Sequence, residues 1–256
     1  MGLGPTQSYL AKFNDHTLPG YVQDESFDSV QRIADHYAAY ADGSNSEYLG
    51  LQNKALQLTL KVWEQDYFTC KEQIQQAATM LRSKRNGFAP LYVQYDDRYY
   101  EALVGPIRVQ KTAGDNVHTL EYQVDFECKP WLVSETSYTV SGNALNGARV
   151  TFSTTGRTID DGGWTYATVL ISGRAATLSG YIANGDQAGF ISVSGTIANL
   201  TIDSEAFTAT TSAGTVNRND YMRTSDYRMW VGPEETYFTV SGAQLCEITY
   251  HNRWYI

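Results

Sequence analysis

The chain of 256 residues carries 19 basic and 28 acidic side chains, a formal net charge of -9. With no Lys/Arg block, that balance excludes a protein that wraps duplex DNA through clustered cations. No stretch approaches the roughly 18 apolar residues of a membrane helix and no secretion signal opens the chain, so a soluble protein without membrane insertion is expected.

Composition changes near residue 134. All seven lysines precede it, whereas the segment after it holds 13 of the 21 glycines. Two domains are therefore expected, residues 1–134 and 135–256. In the first, residues 28–48 fit either a helical period, through Val30, Ile33, Ala34 and Tyr37, or an extended arm. Asp42-Gly43-Ser44 marks a turn within that stretch. Leu56, Leu58, Leu60 and Val62 then alternate with Gln57, Thr59, Lys61 and Trp63, the period of a strand with one buried face. Trp63 falls on the polar face of that strand, so it needs cover from outside the strand's own core, as an anchor of an oligomer interface would.

Thr69-Cys70-Lys71-Glu72 has the form of a capping box and predicts a helix start. The apolar stripe Ile74, Ala77, Ala78, Leu81 continues the helix to Gly87. Leu91, Val93 and Tyr95 lead into a turn at Asp96-Asp97-Arg98, from which Tyr99–Val104 returns as a hairpin arm. From Val117 to Cys128 the residues Leu120, Tyr122, Val124, Phe126 and Cys128 share one face. Glu121, Asp125 and Glu127 share the other, which should be wet because like charges repel. Pro130 is expected to end that strand's ladder.

The second domain reads as short strands, with Ser-Gly recurring at Ser141-Gly142, Ser172-Gly173, Ser179-Gly180, Ser194-Gly195 and Ser241-Gly242 as a strand followed by a turn. The spacing is too irregular for a propeller and predicts a β-sandwich or jelly roll.

No chemistry is signalled. Four histidines lack ligand spacing, and no nucleophile elbow, phosphate loop or dinucleotide motif occurs. No enzymatic activity, cofactor or metal is expected. Cys70, Cys128 and Cys246, far apart and odd in number, form no C-x-x-C pair and read as small buried apolar residues. Trp164 and Tyr166, beside the Gly162-Gly163 turn, either pack in the sandwich, the commoner role of such aromatics, or form an exposed platform for a saccharide.

Three stretches carry a family resemblance. They are Leu56–Val62 through Leu91-Tyr92-Val93 and Asp97–Tyr100; Phe126-Glu127-Cys128-Lys129-Pro130-Trp131; and Gly232-Pro233-Glu234-Glu235 with Thr239-Val240-Ser241-Gly242, leading to Thr249-Tyr250-His251-Asn252-Arg253-Trp254-Tyr255. In these the sequence resembles the distal tail protein family of long-tailed bacteriophages. The resemblance implies a mainly β chain of two sandwich-like domains. The first would be tail-tube-like with one α-helix and form a homo-hexameric ring; the second would be galectin-like. It further implies a non-catalytic virion protein, made in the host cytoplasm. Its partners would be the tail tube protein, the tape measure protein and the tail-tip hub protein, with a host-surface saccharide a further candidate. DNA would pass only as cargo, and Glu121, Asp125 and Glu127 would then line or border the lumen. The alternative is a non-catalytic carbohydrate-binding module.

Overall fold

The computed structural model describes residues 9–28, 31–37, 44–51, 53–83, 87–110, 118–144, 148–183, 185–193, 196–206, 208–211, 214–215 and 229–255. Among the described residues the chain is mainly β with one α-helix, and it divides into two units, Met1–Val133 and Ser134–Tyr255.

The first unit contains β1 (Lys12–Phe13), β2 (His16–Thr17), β3 (Tyr21–Asp28), β4 (Gln31–Tyr37), β5 (Ser44–Leu51), β6 (Lys54–Trp63), α1 (Tyr67–Ser83), β7 (Ala89–Tyr92), β8 (Arg98–Gln110) and the start of β9 (Thr119–Gly142). Its sheet runs β3-β6-β9-β8-β7-β1-β2. At its centre β6 and β9 pair antiparallel without a slip, from Lys54 opposite Cys128 to Trp63 opposite Thr119. That register places Leu56, Leu58, Leu60 and Val62 beside Phe126, Val124, Tyr122 and Leu120, and all eight are buried. Each such side chain contributes about 2 kcal/mol of gross hydrophobic stabilisation. Phe13 packs on Phe126 with ring centroids 5.5 Å apart. The Tyr122 hydroxyl, at the end of an otherwise apolar burial, donates to the Pro19 carbonyl at 2.7 Å, which removes the cost of an unpaired buried donor.

Within residues 28–48, open between helix and extended arm by sequence, the described stretches are extended: β4 and β5 pair antiparallel, with Ile33 opposite Tyr48 and Tyr37 opposite Ser44. The Asp42-Gly43 turn lies outside the described residues. The helix begins two residues before the expected capping box. The Asp66 carboxylate accepts from the Phe68 and Thr69 amides at 2.8 and 2.9 Å, and the Thr69 hydroxyl itself donates to Asp66 at 3.0 Å. Thr69 thus sits inside the first turn. A carboxylate both satisfies two free amides and meets the positive end of the helix dipole, so it outcompetes a hydroxyl for the cap. These bonds hold the Asp66 carboxyl below the usual carboxylate range. Cys70, Ile74, Ala77 and Leu81 face the core, while Ala78 is only half-buried. Residues 84–86, before the Gly87 at which the helix is expected to stop, fall outside the described residues.

The β6 ladder stops at Cys128, two residues before Pro130, where β6 itself begins at Lys54. The strand itself does not stop. β9 stays extended to Gly142 and supplies an element of the second unit, because Pro interrupts hydrogen bonding without forbidding a β backbone.

The second unit adds β10 (Arg149–Ser153), β11 (Thr165–Tyr166), β12 (Thr168–Ile182), β13 (Gln187–Ser192), β14 (Thr196–Asp203), β15 (Thr208–Thr211), β16 (Gly214–Thr215), β17 (Trp230–Val231) and β18 (Thr236–Tyr255). Two long strands organise it. The first half of β12 pairs with β14 and with the second half of β18; its second half pairs with β13 and with the first half of β18. Between the halves the register slips at Gly173. Burial parity slips with it, from Val169 and Ile171 to Ala176 and Leu178. Both strands therefore cross from one layer to the other, and the inward side chains of both layers meet in one core that includes Ile171, Leu178, Ile191, Leu200, Phe238 and Ile248. This is a β-sandwich whose corners are made by bulged strands.

That corner corrects the expected strand-turn pattern. Ser141-Gly142 does end a strand, but Ser172-Gly173, Ser179-Gly180 and Ser241-Gly242 lie inside β12 and β18, and Ser194-Gly195 lies outside the described residues. Gly173 (φ 149°) and Gly242 (φ 75°) allow the bend. A Cβ on Gly173 would stand 2.6 Å from the Gly242 carbonyl oxygen. The glycines serve close approach of two backbones, a role that resembles a turn signal in sequence.

All three cysteines are free and buried, and burial pushes the Cys128 and Cys246 thiols up to about 12 and the Cys70 thiol upward as well. At that value only about one Cys128 or Cys246 thiol in ten thousand is thiolate at pH 8. Iodoacetamide at pH 8 is therefore expected to leave native protein unlabelled and to modify all three cysteines after denaturation, as intact mass would show. Rapid labelling of native Cys128 or Cys246 would contradict the packing.

Candidate assembly and recognition surfaces

The outward face of the β6–β9 pair is the first surface. Glu121 sits opposite Lys61, Asp125 opposite Gln57 and Glu127 opposite Ala55. The three carboxylates share one face, yet they do not form the bare, mutually repelling stripe that their spacing suggests. Lys61 Nζ lies 3.6 Å from Glu121, and Arg108 lies 3.1 Å from Asp125. The Gln57 amide donates to Asp125 at 2.7 Å and the Asn53 amide to Glu127 at 2.7 Å. Glu121 and Asp125 are half-buried and only Glu127 is exposed. Alternation along β9 reveals its own charges but not what β6 and β8 set beside them. Gly105 shows how closely β8 approaches, since a Cβ there would be 2.8 Å from the Asp125 carbonyl oxygen.

Trp63 ends the same face and is 73% exposed. Five residues later Phe68, in the first turn of α1, is 79% exposed, its ring edge-on to Tyr67 at 5.9 Å. Phe68 escaped the sequence reading. A signal was available, because at 100° per residue it falls about 200° from Cys70, on the side of the helix away from the buried stripe. Trp63 at the end of β6 and Phe68 at the start of α1 are thus two large aromatic side chains left open to solvent, the residue type that anchors interfaces.

The second surface is on the second unit. β11 and β17 pair so that Tyr166 lies opposite Trp230, with ring centroids 3.7 Å apart at 31°. Trp164 meets Trp230 edge-on at 6.5 Å and is 36% exposed. The buried Arg253 guanidinium lies 6.0 Å from the Tyr166 ring centre and pairs with Glu205. The structure therefore brings the expected pair together, but one face of Tyr166 is already occupied by Trp230 and only Trp164 remains open. Trp230 and Arg253, distant in sequence, complete the cluster, and no local pattern joins them to Trp164.

Beside it a short 3-10 turn, Ile159–Asp161, is held from both ends. Asp161 accepts from the Thr158 amide at 2.7 Å, and Arg157 donates to the Gly163 carbonyl at 2.8 Å with its guanidinium 5.2 Å over Tyr250. Asp160-Asp161 is thus turn structure. Among the described residues no group of three or more His, Cys, Asp or Glu could hold a metal ion, and no helix is long and apolar enough to cross a membrane.

No family model matches the sequence and no curated protein matches it. Solved structures do. The Dit protein (gp 19.1) of phage SPP1, described as a paradigm of the hub of the adsorption apparatus in phages that infect Gram-positive bacteria, superposes with a TM-score of 0.68 at 13% identity, covering 96% of this chain and 98% of that one. The chain has the fold of SPP1 Dit. The phage P2 baseplate in its activated conformation, with Ca or with Sr, is a more distant match, with a TM-score of 0.45 and 9% or 10% identity over 94% of this chain and 90% of that one. At 13% identity the likeness to Dit resides in backbone path. The inward positions of β6, β9, β12 and β18 need only be apolar and of suitable volume, so the fold tolerates near-complete replacement of side chains.

Proposed function

We propose that this chain is a distal tail hub protein, a non-enzymatic virion component at the tail tip of a long-tailed bacteriophage. The supporting observation is the end-to-end agreement with SPP1 Dit, which takes in both units in one chain. A free-standing carbohydrate module would account for the sandwich but not for the first unit with its capped helix. In this proposal residues 1–134 are the tail-tube-like domain and form a homo-hexameric ring, with Trp63 and Phe68 buried between neighbours. Residues 135–256 are the galectin-like domain. The ring joins the tail tube protein and tape measure protein on one side to the tail-tip hub protein on the other. Trp164 and Tyr166 offer one contact to host saccharide.

The test is the mass of the purified assembly, alone and with the tail tube protein. Six copies of 28.6 kDa give a ring of about 172 kDa. A species that stays at the mass of one chain at high concentration with and without that partner would overturn the ring.

The carboxylate face is proposed to line or border the lumen, where negative charge keeps passing DNA from adhering over roughly a Debye length, about 8 Å at physiological salt. Because Lys61 and Arg108 are paired on that face, neutral replacements suffice to turn it positive. E121Q/D125N/E127Q is expected to leave the ring mass unchanged and to slow DNA release from particles, most at low salt. A ring structure placing these side chains on the outer rim would end the lumen assignment.

A further inference from the structure

Within the second unit, β13, β12, β18 and β10 form one layer, and its register decides what the layer turns away from the core. Ser153, Tyr237, Tyr181 and Gln187 align as one row across the four strands. The two rows beyond it carry Ser or Thr at six of eight positions, the others being Phe190 and Arg149. Their in-between neighbours Leu178, Ile191, Phe238 and Val240 are buried, and Val150 and Phe152 of β10 are half-buried against the same core. Of twelve outward positions only Arg149 is charged, in a chain whose net charge is -9.

Tyr181 and Tyr237 are the centre of the first row. They are register partners on the two inner strands of the layer, so their Cβ atoms are about 5 Å apart. They are 43% and 41% exposed. Glu235 fixes the end of the row, accepting from the Tyr237 hydroxyl at 3.0 Å and from the Ser153 hydroxyl at 2.7 Å. Beyond them Thr177 and Ser241 hydroxyls are bonded at 2.6 Å, and Thr151 and Thr239 at 3.2 Å. A hydroxyl has one donor and two acceptor sites, so each bonded pair keeps capacity toward a ligand.

We propose that this face binds a neutral oligosaccharide, with Tyr181 and Tyr237 as a paired stacking platform and the hydroxyl rows as its hydrogen-bonding field. The charge pattern selects the occupant. An anionic polymer would need clustered cations, and the face has one. A protein partner would be met by an interface core rich in aromatic and aliphatic residues and poor in Ser, whereas here serine and threonine surround two tyrosines. A neutral polyol matches what remains, apolar ring faces for the tyrosines and hydroxyls for the hydroxyls. Four strands about 4.8 Å apart give a face wide enough for a short oligosaccharide and not only one ring. The site shares no residue with the Trp164 cluster, and it does not rest on the ring, since it lies within one unit of one chain.

The experiment uses the full-length protein on an array of neutral hexose and N-acetylhexosamine oligosaccharides, with calorimetric titration of those retained. The wild type is expected to hold at least one of them. Tyr181→Ala and Tyr237→Ala should each weaken it about tenfold. Thr239→Lys, which puts a long charged side chain in the middle row, should abolish binding, and Val109→Ala, at an exposed position of the first unit, should leave it unchanged. Both tyrosines are exposed, so circular dichroism and thermal unfolding of the alanine variants should match the wild type. The proposal is overturned if no neutral oligosaccharide binds at millimolar concentration, if only acidic glycans bind, or if the alanine variants bind as well as the wild type. Loss in Trp164→Ala alone would move the sugar to that cluster. A changed assembly mass in Tyr181→Ala or Tyr237→Ala would make the face a protein contact.

Discussion

Gly173→Ala is expected to cost the second unit about 4 kcal/mol, a large part of the 5–15 kcal/mol that holds a typical domain folded. Two effects add. At φ 149° the backbone is in a region essentially reserved for glycine, a strain of about 1–3 kcal/mol for an L side chain. The added methyl would also stand 2.6 Å from the Gly242 carbonyl oxygen, 2.8 Å from the Ala243 Cα and 2.9 Å from the Gln244 amide nitrogen. All three are backbone atoms of the paired strand, so no side chain can swing aside, and relief requires the β12–β18 corner to open at a further cost of about 1–3 kcal/mol. Gly156→Ala is the control. It also has positive φ, 78°, but a Cβ there meets nothing within 4 Å, so its cost should be about 1 kcal/mol. Denaturant unfolding of both variants measures the difference. Equal losses would mean that the corner is not the point at which the two strands cross between layers.

Trp63→Glu combined with Phe68→Glu is expected to convert the proposed ring to single chains while leaving the fold intact. Side chains 73% and 79% exposed in the chain contribute little to its own stability, so the unfolding midpoint should move by only a degree or two. In an assembled ring the same residues would be buried anchors, and a central aromatic anchor is typically worth 2 kcal/mol or more per interface. Two such losses, each compounded by burying a carboxylate, exceed what a standard interface can absorb. Light scattering should show the mass fall from about 172 kDa toward that of one chain, 28.6 kDa. A double variant that still assembles would place the interface elsewhere on the first unit.

The strength of a local signal decided what the sequence alone could determine. The alternations Leu56–Val62 and Leu120–Cys128 are strict, and a one-residue error in either would turn every apolar side chain to solvent. Their faces were therefore readable before any pairing was known. The same holds for the helix, whose stripe Ile74, Ala77, Leu81 is fixed by its 3.6 period, although its start was not. Thr69-x-x-Glu72 has the form of a capping box, and only the geometry of the entering chain gives the cap to Asp66 instead.

Tertiary structure decided whatever depends on partners distant in sequence. Glu121, Asp125 and Glu127 look like repelling charges until β6 and β8 bring Lys61, Gln57 and Arg108 beside them. Ser-Gly inside β12 and β18 reads as a turn because a glycine's use is invisible locally. It breaks a strand when no other strand pairs there, and it admits a second backbone when one does, as at Gly173 and Gly242. Trp230 joins Tyr166 only through the β11–β17 pairing, and Tyr181 meets Tyr237 only through the β12–β18 register. Periodicity determines which face of an element is buried. What stands next to that element on the other face is set by the sheet, because cross-strand neighbours come from segments tens of residues away whose order no local pattern encodes.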